Sequence, residues 1–193
     1  MRFLITGGNR GLGQELVARF HGDSISRNDG YDIAINPKAV AEKSLDYDVF
    51  VNNAFDGPPQ EEWANFGQVQ VLLEVYNLWK EHNKQGWIFN IGSVGADHIV
   101  APEPRFETYR VAKSALAHAS RQCTMAFKND LVKFKTTLIT PDRLDTELSR
   151  SRTTWTGNGV DCGDLANFIR YSTTIQTNTC VEEIILYVNF SSK

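Results

Sequence analysis

Tyr109-Arg110-Val111-Ala112-Lys113 sets a phenol and an ammonium four residues apart, a spacing that puts both on one face of a helix. An ammonium close to a phenol favours the phenolate and lowers a pKa that is ordinarily about 10, as general acid/base chemistry requires. Much earlier in the chain, Thr6-Gly7-Gly8-Asn9-Arg10-Gly11-Leu12-Gly13 is a glycine turn. Backbone N–H groups in such a turn, at the start of a helix, form a nest for a pyrophosphate. One segment suggests proton transfer and the other a dinucleotide, and together they point to hydride transfer.

The elements that must carry these groups are legible in order. Phe3-Leu4-Ile5 is a short apolar run ending in Thr6 and glycines, which reads as a buried parallel strand. Leu16, Val17 and Phe20 then recur at helical spacing between Gln14 and His21, completing the opening of a mononucleotide-binding unit. Ser24-Ile25-Ser26 is a brief second strand, with Arg27 at its end. Only residues 27–31 separate it from Tyr31-Asp32-Ile33-Ala34-Ile35. A parallel crossover takes about a dozen residues, so this second apolar run is either not a parallel neighbour or an extended loop.

Asn36-Pro37 reads as a cap and first helical residue of a short helix to about Ser44. Asp48–Asn52, Gly86–Gly92, Phe134–Ile139 and Glu183–Phe190 read as further strands. Trp63–His82, with Val69, Leu72, Leu73, Tyr76 and Trp79 on its apolar side, reads as a helix, as do Thr108–Phe127 and Cys162–Tyr171. Residues 147–160 read as a flexible loop. Strands alternating with helices predict an α/β chain, one Rossmann-type doubly wound domain over residues 1–193. Its sheet should be mostly parallel, with six main strands and a shortened region after the second.

Composition narrows the function classes. A net charge of −3 without a basic stripe argues against a nucleic-acid partner. No apolar stretch approaches a membrane span, and the opening run is too short for a signal peptide. Cys123, Cys162 and Cys180 lack metal-ligand spacing and read as reduced thiols, which makes the cytoplasm the expected compartment. His21, His82, His98 and His118 show no ligand pattern either.

Five motifs in order give the chain a family likeness. Thr6-Gly-x-x-x-Gly-x-Gly13, Asn52-Asn53-Ala54, Ser93 after Asn90-Ile91-Gly92, Tyr109-x-x-x-Lys113 with Ser114-Ala115-Leu116, and Pro141-x-x-Leu144-x-Thr146 all have counterparts in one group. The chain resembles the short-chain dehydrogenase/reductase family from Met1 to about Phe190. That resemblance implies a catalytic set of Ser93, Tyr109 and Lys113. It also implies cofactor contacts from Gly7, Asn9, Arg10, Gly11, Leu12, Gly13, Asn53, Ala54, Tyr109, Lys113, Pro141, Leu144 and Thr146. Two departures stand in the cleft: Phe55 replaces the glycine after Asn-Asn-Ala, and Asp142 replaces the glycine after Pro141. For the family's fourth catalytic residue, an asparagine, Asn65 lies slightly early and Gln68 near the expected register.

The implied reaction is interconversion of a carbonyl and an alcohol on a small molecule, with Tyr109 as general acid/base and Ser93 stabilising charge on the substrate oxygen. Arg27, supported by Arg10, would suit the 2′-phosphate of NADP(H). Asp32-Ile33 matches an Asp-Val pair at the adenine, and an approach of Asp32 to the ribose would favour NAD(H) instead. Residues 94–108, including His98 and Arg105, and the loop around Trp155 are candidate walls of the substrate pocket, with Arg105 and Arg152 as candidate partners of an anionic substrate. A dinucleotide sensor or scaffold without turnover, and an epimerase or dehydratase, are the alternative readings. The family also implies a homodimer or homotetramer, built on the two long helices, with Val75, Trp79, Leu116 and Met125 as candidate contacts.

Overall fold

The structure, a computed structural model, describes residues 1–55, 65–96, 107–152, 155 and 157–189. The apolar runs form six strands: β1 (Phe3–Thr6), β2 (Asp23–Ile25), β3 (Val49–Asn52), β4 (Gly86–Ile91), β5 (Phe134–Pro141) and β6 (Glu183–Leu186). All pair in parallel, in the order β2-β1-β3-β4-β5-β6. Every residue of β1, β3 and β5 is buried, as expected for strands covered on both faces. The chain leaves β1 for β2 on one side and returns to β3 on the other. Such a reversal opens a crevice at the carboxyl ends of the strands, where open α/β sheets bind ligands.

The helices are α1 (Gly11–Phe20), α2 (Pro37–Ser44), α3 (Gly67–Glu81), α4 (Glu107–Lys128), α5 (Glu147–Arg150) and α6 (Cys162–Ser172). Alternate strand residues feed two cores. Leu4, Phe50, Ile88 and Phe134 pack with α2, α3 and α4 on one face. Ile5, Val51, Phe89 and Ile139 pack with α1 and α6 on the other. The element ends follow their residue types. Asp161 caps α6 by accepting from the Gly163 and Asp164 amides at 2.7 and 3.0 Å. The left-handed His21 (φ 49°) returns its N–H to Val17 and closes α1.

The shortened region is present, and its chemistry is that of turns. Ser26 Oγ donates to Asp29 over a 3-10 turn at Arg27–Asp29, and no longer helix lies between β2 and residue 31. The Asp32 carboxylate accepts from the Ala34 and Ile35 amides at 2.8 and 3.3 Å, so Tyr31–Ile35 is a turn rather than a strand. Ile33 is buried beneath the start of α3, where Gly67 leaves room: a Cβ on that glycine would lie 2.9 Å from Ile33 Cγ1. Asn36 does not cap α2 with its side chain; its amide donates to the Gly30 carbonyl instead.

Three further expectations are corrected. The buried face of α3 runs through Gln68, Val71, Leu72, Val75 and Trp79, while Leu73 is 48% exposed. A polar residue on the buried stripe shifted the apparent phase of the apolar pattern. Val75, Trp79 and Leu116 have no exposed surface and belong to their own core, which leaves Met125 as the one exposed member of the proposed self-association set. The segment after Thr146 is not loop throughout, because the Thr146 hydroxyl accepts from the Ser149 amide and caps α5. Trp63, His98 and Arg105 lie outside the described residues.

Candidate active site

The glycine turn is built by close backbone approach. Gly7 (φ 72°) and Gly11 (φ 54°) adopt left-handed conformations that side chains resist. A Cβ on Gly13 would lie 2.1 Å from the Gly7 carbonyl oxygen and 2.7 Å from Asn53 Nδ2. Gly13 thus lets α1 start directly against the turn. Arg10 stands exposed at the N-cap and makes no side-chain cap, and the first turn of α1 carries no acidic residue. The N–H groups and positive end of the helix thus have no side-chain cap among the described residues, and these residues fit a pyrophosphate.

Thr6 and Asn53 lock this turn to β3. Thr6 Oγ1 accepts from the Asn53 and Ala54 amides at 2.9 and 2.8 Å, and Asn53 Nδ2 donates to the Thr6 carbonyl at 2.9 Å. Asn53 and Ala54 shape the cradle, since a Cβ on Gly7 would sit 3.0 Å from Ala54 Cα. From the far side, Thr146 approaches the turn: a Cβ on Gly11 would meet its methyl group at 3.4 Å. Leu144 bridges to Val160, and the Asp142 amide, beyond Pro141, donates to the Leu186 carbonyl at 2.8 Å.

At the β2 end, Asn9 Nδ2 donates to Ser26 Oγ at 3.2 Å. Arg27 begins the turn beyond β2 and faces the Asp32 carboxylate at 3.9 Å, with 63% of its side chain exposed. Asp32 thus divides its oxygens between its own turn and Arg27. Ile33 is in the core.

The catalytic candidates meet at the ends of β4 and the start of α4. Burial pushes the Tyr109 hydroxyl above the ordinary tyrosine value, opposed by a hydrogen bond with Ser93 and by the charge of Arg152. Lys113 is 5% exposed, and burial lowers its ammonium from 10.5 to about 7. Its Nζ donates to Gln68 Oε1 at 2.6 Å and to the Ile91 carbonyl at 2.7 Å. In the free protein burial, and not the charge of Lys113, is the largest influence on the Tyr109 hydroxyl. The lysine is itself desolvated, and its Nζ lies 5.7 Å from the Tyr109 ring centroid.

A buried polar network supports this lysine. Gln68 Nε2 donates to the Asn52 carbonyl at 2.8 Å, and Asn52 Nδ2 donates to the Gln68 carbonyl at 2.8 Å and Asn90 Oδ1 at 3.0 Å. Asn90 Nδ2 reaches Ser120 Oγ on α4 at 3.2 Å. Gln68, not Asn65, is the residue against Lys113; Asn65 Oδ1 is buried and finds no partner among the described residues. The roles of Asn52 and Asn90 were not read from sequence, although polar residues inside otherwise apolar strands are a signal for them. Phe55 is the other unanticipated neighbour: its ring meets Tyr109 edge-on at 4.9 Å and lies 5.3 Å from Lys113 Nζ.

No protein-family model matches the chain, and no curated protein matches it. Solved structures do. A short chain dehydrogenase from Burkholderia cenocepacia J2315, in complex with NADP, superposes with a TM-score of 0.73 at 18% identity, over 97% of this chain and 88% of that one. A 3-ketoacyl-(acyl-carrier-protein) reductase from Brucella melitensis, complexed with NADH, gives 0.71 at 18% identity over 95% and 96%. The fold is that of the short-chain dehydrogenases. A third of these dehydrogenases, the 3-alpha-hydroxysteroid dehydrogenase from Pseudomonas sp. B-0831 complexed with NADH, gives 0.69 at 15% identity over 96% and 95%. Among the described residues no group of three or more His, Cys, Asp or Glu side chains could hold a metal ion, and no helix is long and apolar enough to cross a membrane.

Proposed function

We propose that the chain is an oxidoreductase of the short-chain dehydrogenase/reductase family that interconverts a carbonyl and an alcohol on a small molecule, with NADP(H) preferred over NAD(H). The observation that carries this reading is the buried Lys113 one helical turn beyond Tyr109, its Nζ 5.7 Å from that ring, beside a glycine turn that fits a pyrophosphate. A bound nicotinamide dinucleotide supplies or accepts the hydride. The N–H groups at the start of α1 would hold its phosphates, Arg27 and Arg10 its 2′-phosphate, and Lys113 its nicotinamide ribose.

The chain's own part is proton chemistry. Ser93 positions the substrate oxygen and donates to it as charge develops. Tyr109 stays protonated at neutral pH because burial raises its pKa, so it is a ready acid in the reductive direction. Arg152, whose charge already reaches Tyr109, would favour the anionic oxygen in the oxidative direction.

Phe55 favours a second reading, a dinucleotide sensor without turnover, because its ring lies against both Tyr109 and Lys113. Calorimetric titration with NADP and NAD, followed by a panel of carbonyl substrates monitored at the nicotinamide absorbance, separates the readings. Turnover of any carbonyl supports the oxidoreductase. Tight binding with no turnover across the panel supports the sensor, and failure to bind either nucleotide overturns both.

A further inference from the structure

We propose that Phe55 is a stopper on the dinucleotide site: its ring occupies the approach to the Lys113 ammonium that a ribose hydroxyl must use, so binding displaces it. The inference rests on the dinucleotide reading above and adds to it a competition inside the free protein. An ammonium carries three N–H donors in a roughly tetrahedral arrangement. Two are spent inward, on Gln68 Oε1 at 2.6 Å and the Ile91 carbonyl at 2.7 Å. The aromatic rings of Phe55 and Tyr109 lie 5.3 and 5.7 Å from Nζ, within cation–π reach. Lys113 is 5% exposed, so water is kept from its remaining donor.

The stopper is a side-chain device on a fixed base. The backbone just before it is pinned, with the Asn53 and Ala54 amides held by Thr6 Oγ1. The phenylalanine has two side-chain torsions with which to leave, and its edge-on contact with Tyr109 ends when it does. A ligand hydroxyl that accepts from Lys113 replaces a ring face with a charge-assisted hydrogen bond, which is the stronger interaction. The exchange still opposes binding, because the ring must give up both of its contacts first. A smaller residue at position 55 removes that opposition.

The test uses the full chain as wild type, Phe55→Ala and Phe55→Leu. Calorimetry with NADP and NAD should show about fivefold to thirtyfold tighter binding to Phe55→Ala, the loss of a cation–π contact expressed as affinity. Phe55→Leu keeps an apolar body, guards against misfolding, and should gain in the same direction by less. The second readout needs no nucleotide: the Lys113 side-chain resonance is followed by NMR against pH. It should titrate near 7 in the wild type and move up toward 10.5 in Phe55→Ala as water reaches the ammonium. Unchanged or weaker nucleotide binding in both folded variants overturns the proposal, and so does a Lys113 midpoint that stays put. If the Lys113 midpoint moves while neither nucleotide binds any form of the protein, the dinucleotide reading has failed and the ligand named here falls with it.

Discussion

The two ends of the crevice are built on opposite principles. At the β2 end, Arg10 and Arg27 are exposed, and Arg27 faces the partly buried Asp32 carboxylate at 3.9 Å. At the α4 end, Lys113 is sealed among the Ile91 carbonyl, the Gln68 amide and two aromatic rings. An exposed ion pair contributes about 0–1 kcal/mol and is readily exchanged for another partner. A buried ammonium is costly unless each donor is placed, so it fixes geometry. The contrast shows where the protein can vary cheaply and where it cannot: the β2 end presents exposed charge, and the α4 end rests on a buried hydrogen-bond network.

The largest effect should come from Tyr109→Phe, which removes one oxygen at the sealed end and keeps the ring. Turnover of any carbonyl substrate should fall about 10²–10⁴-fold, with nucleotide affinity retained. Wild-type turnover in the variant would remove Tyr109 from the mechanism. At the open end, Arg27→Ala should cost NADP about 1.5–3 kcal/mol of binding and leave NAD nearly unchanged. Equal losses for both nucleotides would shift the choice to Asp32 or the backbone.

Gln68→Leu strips the lysine of its amide partner and leaves the Asn52 carbonyl short of a donor. Denaturant unfolding should show a loss of about 1–3 kcal/mol, whereas an unaffected midpoint would mean that the network relaxes without cost. Lys113 also gives stability a pH signature. Its folded pKa of about 7 lies below the ordinary 10.5, so between those values the unfolded chain binds more protons and stability rises with pH. Relative to Lys113→Met, the wild type should gain roughly 1.4 kcal/mol per pH unit between about pH 7.5 and 9. A flat difference would show that the lysine is charged in the folded protein. The smallest effect belongs to Asp32→Asn, which keeps an acceptor for the turn and removes the charge facing Arg27. Stability should change by no more than about 1 kcal/mol, less at high salt; a larger loss would contradict the account of this end as weakly coupled.

The sequence and the structure agree best where a motif is made of backbone. Gly7, Gly11 and Gly13 are legible because only glycine allows those torsions and approaches, and the absence of a full helix between β2 and residue 31 is legible because that stretch of chain is too short for one. Tyr109, Lys113 and Ser93 are legible by their order along the chain. The environment of Lys113 is not, because it comes from Gln68, Asn52, Asn90 and Phe55, which only tertiary folding brings together. Gln68 shows the difficulty most clearly. A hydrophobic-periodicity rule assigns a glutamine to solvent, and here its amide is buried because Nε2 donates to the Asn52 carbonyl at the end of β3 and Oε1 accepts from Lys113 on α4.

The all-parallel sheet also dictates when the crevice can exist at all. No neighbouring strands are joined by a hairpin; even the nearest partners in the chain, such as Leu4 and Asp23, are separated by the whole of α1. Each pairing must close a long loop before its contacts can offset the entropy lost, so such topologies fold slowly and late contacts dominate the barrier. The glycine turn after β1 and Ser93 after β4 share one crevice only once β3 has paired between β1 and β4. A ligand of the crevice therefore finds nothing to bind in a half-folded chain. Added during refolding, it should leave the early rate untouched and slow only the escape from the finished state.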